Sequence, residues 1–166
     1  MSDVFVAKAR PTPMERIQSG VSVQTASLEF ASAATARGLE AADYAAMVAG
    51  VRNPIAAELI WVMLEDADAI GRAVEQLDLW GWMQLRRTRR DVRLSPKQHR
   101  RLCFAAVSDY RQGSPGYTLA GLGEFVGVEA AEVKRLMGHW SELASHLLNC
   151  EQVLISHLRR QMREDA

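Results

Sequence analysis

Cysteine is scarce in this chain. Its 166 residues hold two, Cys103 and Cys150, in neither a CxxC pair nor any other close pairing. That excludes a disulfide framework and a cysteine-paired zinc module, and it points to a reducing compartment. Long apolar runs are also missing. The most apolar stretch, Pro54 to Leu64, is about half of the roughly 20 residues a membrane helix needs and contains Glu58, so no transmembrane helix is expected. Met1 to Lys8 lack the charged start and apolar stretch of a secretory signal, which makes a cytoplasmic protein the expectation. No run of four to eight β-branched or aromatic residues with period two occurs, and this argues against a sheet-based fold. There is no phosphate-binding glycine loop and no nucleophile motif, so neither an enzyme nor a cofactor is expected.

Net charge is absent as well, since 20 basic residues balance 20 acidic ones. The balance conceals segregation. Residues 1–85 carry a net −5, residues 86–101 carry 8 basic residues against 1 acidic for a net +7, and residues 102–166 carry a net −2. A basic island in a neutral protein is a local feature suited to a polyanion. Hydrophobic residues make up 48% of the chain, enough for a real core, and the length suits one compact fold.

The residues present read as helices throughout. Residues 1–20 hold Pro11 and Pro13 with little periodicity, which predicts a flexible arm. A helical region over 21–85 follows, with one helix from Ser22 to a stop at Gly38 and a second over about Glu40 to Ala49. Asn53-Pro54 reads as a cap and first turn of a third helix. Its pattern runs through Ile55, Leu59, Val62, Ile70, Val74, Leu77 and Trp80, as one helix bent near Asp66 to Gly71 or as two. Residues 86–94 form a basic junction. Ser95-Pro96-Lys97-Gln98 is a capping box that starts a helix burying Leu102, Cys103, Ala106, Val107 and Tyr110. The fold expected is all-α: a helical bundle with a C-terminal helix-turn-helix over 95–166 and a long terminal helix.

The helix-turn-helix rests on the stretch from Leu119 to Gly138. Two short helices that cross closely need a small residue at the fifth place, which is Gly123, and a residue tolerant of positive φ at the ninth, which is Gly127. Leu122, Val126, Val128, Val133 and Leu136 occupy the packing places, and Thr118 is a candidate N-cap. The recognition helix would present Glu129, Ala130, Ala131, Lys134 and Arg135, with Lys134 and Arg135 suited to phosphates or a guanine edge and the alanines to close approach. Arg86, Arg87, Arg89, Arg90 and Arg93 are the candidate phosphate contacts of the island. Two plainer readings stay open: Gly127 as a turn between structural helices, and the arginines as a solvated face.

Downstream, Trp140, Leu143, Leu147, Leu154, Leu158 and Met162 form a stripe suited to a brace across the bundle or to a homodimer contact. His139, His146, Cys150 and His157 share roughly one helix face, but only His146 and Cys150 are close enough to share an ion, so no metal is expected there. The order Leu77-Asp78-Leu79-Trp80-Gly81-Trp82, then arginines, a helix from Ser95, the helix-turn-helix and a trailing helix resembles Q-type antitermination proteins of bacteriophages over about residues 77 to 150. The resemblance implies a regulator that binds double-stranded DNA at a late promoter and engages a paused RNA polymerase. The alternative from a different class is a helical adaptor that binds a protein through its basic run and apolar C-terminal helix.

Overall fold

The computed structural model describes residues 11–22, 41–112 and 116–165, and among them every regular element is helical. The described residues form seven α-helices in order: α1 (Pro13–Ser22), α2 (Ala41–Val48), α3 (Leu59–Met63), α4 (Ala67–Thr88), α5 (Pro96–Gln112), α6 (Leu119–Val126) and α7 (Ala130–Glu164), with a 3-10 turn at Ala56–Glu58 ahead of α3. The expected all-α class is what the chain adopts. The helix expected between Ser22 and Gly38 lies outside the described residues, apart from its first position.

The apolar stripe of α7 organises the core. Leu143, Leu147, Cys150, Leu154 and Leu158 recur at intervals of three or four and are all buried. This 35-residue helix packs against α1, α2, the 3-10 turn, α4, α5 and α6. The stripe therefore acts as a brace and is spent inside its own chain.

Local chemistry sets the helix ends. The Asn53 side chain accepts from the amides of Ile55 and Ala56, so a cap is present, but a 3-10 turn follows it before α3 begins. The α3–α4 stretch is two helices. Glu65 adopts φ 63, which stops α3, and the Asp66 carboxylate caps α4 by accepting from Ala69 N at 2.9 Å. The capping box at Ser95 is reciprocal, with Gln98 N donating to Ser95 Oγ and Ser95 N to Gln98 Oε1. All five residues expected to be buried on α5 are buried.

Two expected boundaries need correction. The proline-bearing arm is helical from Pro13, because the Thr12 hydroxyl accepts from Glu15 N and the Glu15 carboxylate answers from Thr12 N, a capping box that the prolines obscured. Helix α1 then docks through Ile17, which is 3% exposed, and through Arg16. The basic junction also starts later than residue 86, since Arg86 and Arg87 form the last turn of α4, where cations suit the carbonyl end of a helix.

Arg16 fixes α1 to the brace. Its guanidinium pairs with Glu151, a carboxylate only 1% exposed that also accepts from Tyr110 Oη at 2.9 Å. Burial and the Glu151 charge together push the Tyr110 phenol far above its ordinary value. Removing the cation leaves a buried charge with one neutral donor. Arg16→Ala should therefore cost about 3 kcal/mol by denaturant unfolding, whereas in a Glu151→Gln background the same change should cost below about 1 kcal/mol. Equal costs in both backgrounds would show that the ion pair does not hold α1.

Candidate nucleic-acid interface

The turn between α6 and α7 brings the recognition segment to the surface. Thr118 caps α6 by accepting from Gly121 N at 3.0 Å, and α6 ends when Gly127 takes the left-handed conformation at φ 86. Gly127 N and Val128 N both donate to Gly123 O, closing the turn. Gly123 has to be small: a Cβ there would lie 2.6 Å from Val133 Cγ2, so α6 and α7 meet at bare backbone. Leu122, Val126, Val133 and Leu136 are buried as the pattern requires, and Val128 is half-buried. Glu129 is the N-cap of α7 and makes no side-chain cap bond. From there α7 runs unbroken through Gly138 and Trp140 into the brace.

Helix α5 buttresses the turn, with Gln98 Nε2 donating to Gly127 O at 2.9 Å. The result is an open groove of about 620 Å³ lined by Arg90, Asp91, Arg93, Gln98, Gly127, Val128, Glu129, Glu132 and Arg135. Residues from the arginine island and from the first turns of α7 thus share one concavity. Lys134, Ala130 and Ala131 are exposed beside it, on the same turns of α7. Arg86 and Arg87 are exposed on the end of α4. Three arginines in the lining face three carboxylates, and Arg135 is paired with Glu132 at 3.3 Å.

Arg89 is placed differently from its neighbours. Its Nε donates to Glu142 at 3.0 Å, and its guanidinium lies over Gly138, where a Cβ would come within 2.3 Å of Cζ. It clamps the junction to α7 and is not among the groove-lining arginines. Gly138, at the end of the predicted helix-turn-helix stretch, is covered by it.

Behind that clamp runs a chain of polar side chains that no sequence pattern singled out. Glu142 Oε2 lies 3.4 Å from His139 Nδ1, His139 Nε2 lies 2.9 Å from His99 Nε2, and His99 Nδ1 meets Asp78 Oδ1 at 2.5 Å. Both imidazoles are fully buried. Burial lowers the pKa of His99 against the pull of Asp78, and burial with the neighbouring His99 charge takes His139 down to about 4. Cys103 Sγ sits 3.7 Å from His99 Nδ1, and burial raises its thiol beyond the usual range. Asp78, His99 and Cys103 bring three possible ligand atoms within 4.8 Å of one another. His99 continues the buried face of Leu102, Cys103, Ala106 and Tyr110, and that spacing is its sequence signal. Trp82 leans on the His99 ring, and Trp80 stacks on His146 at 3.7 Å, so both tryptophans pack within the protein.

Neither a family model, nor a curated protein, nor a solved structure matches this chain.

The close crossing at Gly123 is open to direct test. Gly123→Ala drives a methyl into a valine that is stiff at χ1, at an expected cost of about 1–3 kcal/mol. Adding Val133→Ala should recover part of that loss in denaturant unfolding, so the double variant is more stable than the two single costs added together. Strict additivity would mean that the helices do not touch there.

Proposed function

We propose that this protein is a DNA-binding transcription regulator that uses the segment from Leu119 to Gly138 as a helix-turn-helix. The observation that supports this reading best is the shared groove, in which Arg90 and Arg93 stand beside the N-terminal turns of α7 and Arg135. In such an arrangement the first turns of the second helix enter the major groove while flanking cations hold the phosphates. Arg86, Arg87, Arg90, Arg93 and Lys134 serve as phosphate contacts, and Arg135 serves as a base or phosphate contact. The carboxylates have a place in this scheme. Glu129 and Glu132 favour the N-terminal end of α7 through the helix dipole and can accept from a cytosine amino group. The resemblance to Q-type antitermination proteins extends the proposal to a phage factor that also engages RNA polymerase.

Two measurements test it. If about four to six phosphates are contacted, log affinity for duplex DNA should fall against log salt with a slope of roughly −4 to −5. Absence of binding at low salt to a broad pool of duplexes would remove the reading. The second measurement separates roles within the groove. Arg90→Ala with Arg93→Ala should weaken all sequences alike and flatten the salt slope, while Arg135→Ala should also change the preferred sequence, a base contact being worth roughly 1–3 kcal/mol. Arg89→Ala should lower thermal stability and leave the preferred sequence alone. An unchanged sequence profile in Arg135→Ala would show that α7 reads no bases.

A further inference from the structure

The buried polar chain carries a constraint that comes from counting its protons. A carboxylate only accepts, so for His139 Nδ1 to bond Glu142 it must donate, which leaves His139 Nε2 as an acceptor. His99 Nε2, 2.9 Å away, must then donate to it. That assignment puts the lone pair of His99 on Nδ1, facing the Asp78 carboxylate and the Cys103 sulfur. Three electron-rich atoms then converge on one point. With both rings neutral and nothing at that point, the proton has to sit on His99 Nδ1 instead. The mismatch then moves to the His139–Glu142 contact, the longest of the three histidine links to a carboxylate or ring at 3.4 Å.

We propose that Asp78, His99 and Cys103 bind a zinc-class divalent cation, with His139, Glu142 and Arg89 as its outer shell. The donor set suits that ion: one thiolate, one imidazole and one carboxylate, leaving a fourth position for water on the side where Asp78 is 20% exposed. The sulfur and the ring nitrogen are 3.7 Å apart, close to the roughly 3.5 Å that tetrahedral zinc bonds impose. The carboxylate has to swing outward to a separation from Nδ1 of about 3.3 Å, and its partly open position permits this. His99 then ligates through Nδ1 and donates its other N–H to His139, which donates to Glu142, which accepts from Arg89, so every link is satisfied. A metal-bound histidine commonly donates its second N–H in this way. On binding, the two imidazoles keep two protons between them, redistributed along the chain, and the Cys103 thiol releases one to solvent. Gly81 makes the space, since a Cβ there would lie 2.8 Å from the His99 ring.

The test uses the full chain, stripped with a chelator and titrated with cobalt(II). One ion per chain should bind, with a thiolate-to-cobalt charge-transfer band in the near ultraviolet and the visible bands of a tetrahedral ion. Cys103→Ser should abolish the charge-transfer band, and Asp78→Asn, at a partly exposed position that a fold tolerates, should weaken binding at least tenfold. Cys150→Ser should change neither, although Cys150 stands 3.7 Å from His146 in the same helical spacing. Glu142→Gln should keep the band while lowering affinity about 10- to 100-fold, the usual effect of an outer-shell change. Zinc should raise the melting temperature of the wild type and leave that of Asp78→Asn nearly fixed. No charge-transfer band, or a band that survives Cys103→Ser and vanishes in Cys150→Ser, overturns the site.

Discussion

A continuous helix ties what lies at one end to what lies at the other, and here one 35-residue helix runs from the open groove into the core. The C-terminal two-thirds of α7 supply the leucines around which α1, α2, α4 and α5 assemble, and its first turns stand at the open groove. Nothing interrupts it: Gly138 is helical and covered by the Arg89 side chain. The first turns of α7 are therefore continuous with the helix that organises the core. A short helix hung between loops would have to be ordered on binding, at an entropic cost of about 1–2 kcal/mol per residue fixed.

Polar groups buried along the same helix fix its register. Glu151 and His139 both interrupt the apolar stripe, and each is matched from a distant part of the chain: by Arg16 and Tyr110 for one, by His99 for the other. A purely apolar interface tolerates sliding, because one leucine resembles the next. A charge that loses its partners on sliding does not, so these pairs select one arrangement even where their net contribution to stability is small.

Much of this fold was legible in the residues because its signals are local. Capping at Ser95 and Thr118, the glycines at 123 and 127, and the spacing of buried positions on α5 and α7 depend on neighbours within a turn or two. The start of α1 is harder to read, because Pro11 and Pro13 flank the capping box at Thr12 and Glu15 and break its periodicity, although proline fits a first helical turn. The polar chain was invisible for a different reason. Asp78 and His99 are 21 residues apart, and His99 and His139 are 40 apart, so only tertiary packing brings them together. Spacing along one helix pointed to His146 and Cys150, which do meet, but it carried no information about which helix His139 would face.

The candidate groove inherits its geometry from that chain. Arg89 ends α4 and is held by Glu142, Glu142 is held against His139, and Arg90, the next residue, lines the groove. A five-residue stretch with four arginines would otherwise repel itself and sample many arrangements. Neutralising one arginine in an ion pair and seating it over Gly138 removes a charge from the cluster and sets where the following backbone goes. Arg90 and Arg93, which follow it, line the groove beside the first turns of α7. Of the residues that read alike as an arginine run, one is structural so that the others can be positioned.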